Sequence, residues 1–337
     1  MKHLSTIALS ICVLMIAGCS QPAQYITNEG LVFGTSYRIV YQSEADLHEE
    51  LKQAILEVNQ SLSTYEKTSV ISRINQNDTS VVLDDHFIRV FDKAVEVTQV
   101  SNGAFDMTVA PLVNAWGFGF TNKDSINIEL IDSLLLFTGM EKVTRVGNKV
   151  TKTDPRVMLD ASAIAKGYGV DVTALCLEKI GVSNYLVEIG GEVRTKGINA
   201  KGEAWRVGID KPIDDREVQQ RQLEAIIKIS EHSMATSGNY RNFYIENGRK
   251  YAHTINPKTG YPVQSDILSS SVIATDCMTA DAYATAFMVL GLEKSMAIVK
   301  ADTTLQVFFV CTDSLGQLKE VYSPGFEKMI AEIIAKE

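Results

Sequence analysis

The sequence predicts an α+β fold, with mixed sheets and packed helices in a single domain from about residue 29 to the C-terminus. Three observations carry this. Stretches of alternating apolar residues and stretches of helical period follow one another without a regular strand–helix–strand beat, which argues against a doubly wound parallel sheet. Neither G-x-G-x-x-G nor G-x-x-x-x-G-K-[ST] occurs, so neither glycine-rich nucleotide-binding fingerprint is present. No repeat, low-complexity tract or long linker divides the 337 residues, and an apolar fraction of 45% sustains a large core.

The first residues are an export signal rather than fold. Lys2 supplies the positive n-region, and Leu4 to Ile16 form an apolar stretch too short for a transmembrane helix. Ile16-Ala17-Gly18-Cys19 then places small residues before a cysteine, as in a bacterial lipobox. Residues 1–18 are therefore expected to be removed and Cys19 to carry lipid. The alternative is an ordinary signal cut near Gly18. Ser20 to about Asn28 is expected to be a polar tether. A serine rather than an acid beside the anchor points to the outer membrane of a two-membrane cell.

Phe33-Gly34-Thr35 opens the folded part in a strand-like run through Val40. Ser43 is expected to cap a helix whose apolar face is Leu47, Leu51, Ile55, Val58 and Leu62. The hydroxyl-rich run from Ser61 through Asn75 reads as a loop. Asp84 and Asp85 precede a second helix with Phe87, Phe91, Val95 and Thr98 on one side, stopped by Ser101-Asn102-Gly103. Ile128 to Phe137 is a short helix closed by Gly139, and Val143 to Thr151 a hairpin around Gly147-Asn148. A helix follows the Lys166 region and runs to Gly181. Tyr185 to Ile189, Trp205 to Ile209 and Leu223 to Ile229 are strands, and Ala235 to Tyr240 is a polar turn. Asn247-Gly248 signals a hairpin. Ala280 to Leu290 is a helix ended by Gly291, Leu305 to Cys311 a strand, and an amphipathic helix from Phe326 closes the chain.

Charge narrows the function. The net charge is −9 with no basic block, which argues against a nucleic-acid partner. An acidic protein that holds a phosphate-rich ligand needs local help from a metal or from helix N-termini. Of the five cysteines, Cys12 leaves with the signal and Cys19 takes lipid. Cys176, Cys277 and Cys311 are far apart and without C-x-x-C spacing, so they are expected to be buried thiols.

Three segments are candidates for chemistry. Met158 to Asp171 places Asp160, then small residues, then Lys166 before Gly167, Tyr168 and Gly169 at a helix entry. Such a corner suits a phosphate, though a plain strand–turn–helix corner with an exposed lysine fits as well. Ala104-Phe105-Asp106 and Pro111 through Gly119 suit either a flat ligand or a core loop with a buried Trp116. Asp281 and Thr285 lie four apart on one helix, which suits a hard cation such as Mg²⁺. The same pair is also what a dipole-stabilised Asp and a backbone-bonded helical Thr look like. His253 is held in a loop fixed by Pro257, Gly260 and Pro262.

Taken together, these segments resemble the ApbE family, the FAD:protein FMN transferases. The pieces that carry the resemblance are Phe33-Gly34-Thr35, Leu62-Ser63-Thr64-Tyr65, Gly103-Ala104-Phe105-Asp106, Pro111-Leu112-Val113 through Trp116-Gly117-Phe118-Gly119, and Leu159-Asp160 through Lys166-Gly167-Tyr168. They continue with Tyr185-Leu186-Val187 through Gly190-Gly191, Ser237-Gly238, His253 through Gly260-Tyr261-Pro262, and Ala280-Asp281 through Thr285-Ala286. They occur in the family's order from about residue 31 to about residue 291.

The resemblance implies a single T-fold-related catalytic domain that binds FAD with Mg²⁺. It implies transfer of the FMN half onto a Ser or Thr hydroxyl of a target flavoprotein, typically a subunit of a membrane redox complex, with release of AMP. It further implies that Asp281 and Thr285 ligate the metal with side-chain oxygens and Ala163 with its carbonyl. Phe33, Tyr65, Ala104, Phe105, Asp106, Asp160, Lys166 and Ile255 would line the FAD site, and His253 would serve transfer, with Asp281, as a catalytic residue. Some relatives hydrolyse FAD to FMN and AMP instead, and a third reading is a non-enzymatic FAD-binding lipoprotein. Two positions depart from the family pattern. Phe33 stands where Met is usual, and Asn256 stands where Asp is common before Pro257.

Overall fold

The computed structural model describes residues 24–120, 125–213, 222–240, 242–246, 249–313 and 315–334. The signal, Cys19 and the first part of the tether lie outside the described residues, as does the Asn247-Gly248 turn.

The chain begins with β1 (Tyr25–Val32) and β2 (Thr35–Gln42), followed by α1 (His48–Leu62), α2 (Val70–Asn75) and α3 (Asp85–Val100). Then come α4 (Ala110–Ala115), α5 (Ile128–Leu135) and the hairpin β3 (Val143–Val146) and β4 (Lys149–Lys152). Next are α6 (Ala165–Ile180), β5 (Tyr185–Ile189), β6 (Glu192–Lys196), β7 (Trp205–Asp210), β8 (Leu223–Ile229) and β9 (Ser233–Gly238). A second hairpin, β10 (Phe243–Glu246) and β11 (Arg249–Ala252), precedes β12 (Ile267–Ala274), α7 (Cys277–Leu290) and α8 (Leu292–Ala301). The chain closes with β13 (Gln306–Thr312), β14 (Leu318–Tyr322), α9 (Pro324–Glu327) and β15 (Ile330–Ile333).

The centre is an eight-stranded sheet in the order β1-β2-β5-β6-β9-β12-β13-β14, with neighbours antiparallel throughout. Period-two alternation sends side chains to two different cores. Val307, Phe309 and Cys311 join Val272 in a core with α3 and α7. Phe308, Val310 and Ile273 face the other way, against Val207, Ile209, Ile227 and Ile229 of the three-stranded sheet β15-β8-β7. Ile39, Tyr41, Tyr185 and Val187 pack on Leu51 and Ile55 of α1 and Val170 and Leu177 of α6. Helices thus cover one face and a small sheet covers the other. No helix among the described residues is long and apolar enough to cross a membrane.

Several local expectations change. The first strand starts at Tyr25, inside the expected tether. Phe33-Gly34 is the two-residue turn between β1 and β2, with φ of 52° and 73°. Two left-handed residues in a row are what a type I′ hairpin turn requires. Ser43 does not cap α1. Its Oγ accepts from the Ala45 N–H, and the helix starts at His48, whose N–H donates to Asp46. The run after Tyr65 contains helix α2, because Ser69 Oγ accepts from the Ser72 N–H as an N-cap. On α3 the buried stripe is Phe87, Val90, Phe91, Ala94 and Val97. Ala235 to Gly238 belongs to strand β9, paired with β12, because tertiary pairing overrides its turn-like composition. The last segment is one helical turn and an edge strand, since Ile330 and Ile333 are taken up by pairing with β8.

Candidate functional site

The site is a notch at one end of the central sheet. The β5–β6 hairpin ends at Gly190-Gly191, and the Gly190 N–H donates to the Ser36 carbonyl at 2.9 Å. Its neighbours reach further: the β1–β2 turn to Phe33-Gly34 on one side, and β9 to Gly238 on the other. The N-terminal turns of α6 and α7 close one face. A cavity of about 460 Å³ fills the notch, and a second groove of about 580 Å³ adjoins it at Phe33, Tyr65, Ser162 and Lys166.

All twelve site residues expected in the folded part line this one cavity: Phe33, Tyr65, Ala104, Phe105, Asp106, Asp160, Ala163, Lys166, His253, Ile255, Asp281 and Thr285. The lysine corner and the late helix meet directly. Asp281, 2% exposed, accepts the Gly167 N–H through Oδ2 at 2.9 Å, and its Oδ1 lies 3.9 Å from Lys166 Nζ. Gly167 permits this approach, because a Cβ there would collide with the Cys277 carbonyl oxygen. Lys166 Nζ donates to Glu192 Oε1 at 2.7 Å. Burial opposes the Lys166 ammonium, but Asp281 and Glu192 outweigh it and hold its pKa above the usual lysine value. Burial pushes the Glu192 carboxyl up, and its buried Oε2 has no hydrogen-bond partner among the described residues.

A metal fits this corner by its donor chemistry. Asp281 has one oxygen committed to Gly167, while the other, 3.9 Å from Lys166 Nζ, takes no hydrogen bond from the described residues. Thr285 follows one turn later, its Oγ1 3.1 Å from Ser237 Oγ. With the Ala163 carbonyl these are hard oxygens, suited to a cation that completes its shell with water or phosphate. Among the described residues no group of three or more His, Cys, Asp or Glu side chains is arranged to hold an ion.

The aromatic wall positions His253. Trp116 donates Nε1–H to the Gly260 carbonyl at 2.8 Å and stacks on Tyr251, with centroids 5.4 Å apart. Tyr251, Tyr244 and Phe118 continue the stack at 5.3 Å per step, and Phe118 meets the His253 ring edge-on at 6.4 Å. The His253 Nδ1 lies 3.1 Å from the Asn242 carbonyl. Burial lowers the His253 pKa, the Asn242 carbonyl works the other way, and the charge of Lys166 lowers it further.

Asp106 lines the cavity, but its oxygens are used internally. Oδ1 accepts from the Thr108 N–H and hydroxyl at 2.7 and 2.6 Å, and Oδ2 from the Met140 N–H at 3.1 Å. Burial outweighs these bonds and raises its pKa. It fixes the shape of the Ala104–Asp106 wall. Asp160 accepts from the Ser162 N–H at 2.6 Å and so shapes the loop before α6.

Residues 33–309 match the family model described as the ApbE family. This chain belongs to the ApbE family. It is 38% identical over 330 residues to the FAD:protein FMN transferase of Vibrio cholerae serotype O1, covering 95% of this chain and 97% of the relative. It is 36% identical over 344 residues to the FAD:protein FMN transferase of Haemophilus influenzae, covering 97% and 98%. The solved flavin transferase ApbE from Vibrio cholerae superposes with a TM-score of 0.82 at 37% identity, over 91% of this chain and 100% of that one. The apo flavinyl transferase ApbE of Pseudomonas stutzeri superposes with a TM-score of 0.81 at 28% identity, over 93% and 98%.

Sequence reasoning missed part of this ApbE cavity. Glu192 directly follows Gly190-Gly191, and an acid after a double glycine is a signal that was open to reading. Thr236, Ser237 and Gly238 have the composition of a turn, which hides their place on the cavity wall.

Proposed function

We propose that this chain transfers the FMN half of FAD to a Ser or Thr hydroxyl of a target flavoprotein, forming a phosphoester and releasing AMP. One observation carries the reading: Asp281, Thr285, Lys166 and His253 converge on one cavity beside Phe33 and Tyr65. That set supplies oxygens for a cation, a fixed positive charge and a proton carrier around the place of a pyrophosphate.

The acceptor oxygen attacks the FMN-side phosphorus, the bond from that phosphorus to the bridging oxygen breaks, and AMP leaves with that oxygen. His253, neutral because burial disfavours its charged form, takes the hydroxyl proton. Lys166 faces the phosphates as a point charge, held in place by Glu192. Asp281, Thr285 and the Ala163 carbonyl would hold Mg²⁺. When bound, Mg²⁺ neutralises pyrophosphate charge. Phe33, on a turn whose backbone is fixed, and Tyr65 provide aromatic surface for the rings of FAD.

The leader sequence supports export, with a lipid on Cys19 tethering the enzyme to the outer membrane facing the periplasm. Its targets would then be subunits of membrane redox complexes. A Cys19→Ser variant is expected to leave the membrane fraction.

The test is intact-protein mass spectrometry of a candidate target co-expressed with wild type or with Asp281→Ala. An FMN-sized gain is expected with wild type only. Free FMN and AMP without any gain on the target would favour the pyrophosphatase instead. FAD bound without AMP release would favour a carrier.

A further inference from the structure

We infer that the overhanging end of β9 is the docking strand for the acceptor protein, whose Ser- or Thr-bearing segment lies there as an added β-strand. The inference rests on the transferase reading and adds to it how the second substrate is held.

β9 pairs with β12 over its whole length, from Ser233 to Gly238. On its other side it pairs with β6 only at Val193↔Met234 and Arg194↔Ser233. Beyond that point β6 has ended in the Gly190-Gly191 turn. Alternate residues of an antiparallel strand direct their N–H and C=O groups to opposite sides. Part of the main chain of Ala235 to Gly238 therefore faces the notch, and among the described residues no main-chain hydrogen bond meets it there. Such an edge is a template for another strand, and main-chain pairing gives affinity with little demand on sequence.

Its location selects the occupant. Thr236, Ser237 and Gly238 form a wall of the catalytic cavity, and Ser237 Oγ lies 3.1 Å from Thr285 Oγ1. A strand paired here brings its side chains beside the oxygens assigned to the cation. None of the residues expected to line FAD lies on β9. They come from the β1–β2 turn, the Tyr65 loop, residues 104–106, the Asp160–Lys166 corner and Ile255. Among the walls left over is a strand edge, and the reactant left over is a polypeptide. On the far face of the sheet a recess of about 160 Å³ shares Gly190, Thr236 and Tyr240 with the cavity, so an extended chain has room on both sides of the notch.

The test uses the full-length enzyme with FAD and Mg²⁺, and a pool of synthetic peptides that each contain one threonine. Peptides that gain an FMN mass are sequenced, and the best is remade with a single N-methylated peptide bond at each position around the threonine. The expected result is a KM for peptide raised about tenfold at every second position and unchanged between them, with the KM for FAD constant. Hydrogen exchange with the unmodified peptide should add protection to amides within residues 235–238. A response without alternation, or protection confined to other segments, overturns strand docking and leaves the transferase reading standing. Release of FMN and AMP with no peptide modified overturns both.

Discussion

Asp171 on α6 accepts the main-chain N–H groups of Cys277 and Met278 at the start of α7, at 2.9 and 2.8 Å. Asp281 on α7 returns the contact to Gly167 in the first turn of α6. Each helix thus satisfies N–H groups that the other leaves without partners. The clasp fixes the lysine corner against the oxygens of the late helix. Arg194 of β6 joins it, its Nη1 2.8 Å from Asp171. Asp171→Ala leaves those N–H groups and most of the Arg194 contact unmatched. A loss of about 3 kcal/mol is expected in chemical denaturation, with Asp171→Asn keeping part of it. Equal stability of wild type and Asp171→Ala would show that the clasp does not hold the helices.

Gly167→Ala tests the same junction by steric means. The added methyl would meet the Cys277 carbonyl and lie 2.8 Å from the Asp281 Cβ. Neither neighbour is the free end of a flexible chain, so the helices must separate. Overpacking of this kind costs about 1–3 kcal/mol. The expected outcome is a lower Tm together with a weaker effect of Mg²⁺ on FAD affinity, measured by flavin fluorescence titration with and without the metal. A lower Tm with normal metal dependence would separate the packing of this junction from the site.

The parts of the fold that were legible in the sequence are those where local chemistry and tertiary context agree. Asp84 caps α3 and Gly181 ends α6, as composition suggests, whereas α5 stops at Leu135, short of Gly139. The misreadings share a cause. Ala235 to Gly238 has a turn's composition, but β12 holds it as a strand through Ser269, Ser270 and Ser271. Ile330 and Ile333 lie three apart, a helical spacing, and only pairing with β8 across a register shift makes the segment a strand. The residues expected to form the site fall in short ordered segments, and the fold brings these segments to one cavity. Glu192 carries only the signal of an acid after Gly190-Gly191, because its role depends on the Lys166 ammonium, 26 positions away in sequence.

The pH dependence of transfer follows from His253. Its pKa lies below the ordinary histidine value of 6.5, chiefly because it is buried. The neutral base therefore persists as pH falls through 6.5, and the acid limb of the rate profile is expected below that value. The linkage has a definite sign: a depressed folded pKa contributes stability above 6.5 that is lost as pH falls through the folded value. His253→Gln should lower transfer about a hundredfold or more, keep FAD binding, and flatten the acid limb. An acid limb of unchanged position in His253→Gln would assign the proton to another group.

Asn256 stands where the resemblance leads one to expect an aspartate, and the structure gives it a turn to make. Its Oδ1 accepts from the Lys258 N–H at 2.9 Å and the Thr259 N–H at 3.3 Å, and its own N–H donates to the Tyr261 carbonyl at 2.9 Å. The flanking Ile255 and Pro257 line the cavity while Asn256 does not. An aspartate oxygen accepts the same two bonds, so the turn survives the exchange. Asn256→Asp should therefore alter the initial rate of FMN transfer by no more than about twofold. A gain of tenfold or more would instead mean that the charge acts on the reaction across the turn, and that this chain has traded rate for its asparagine.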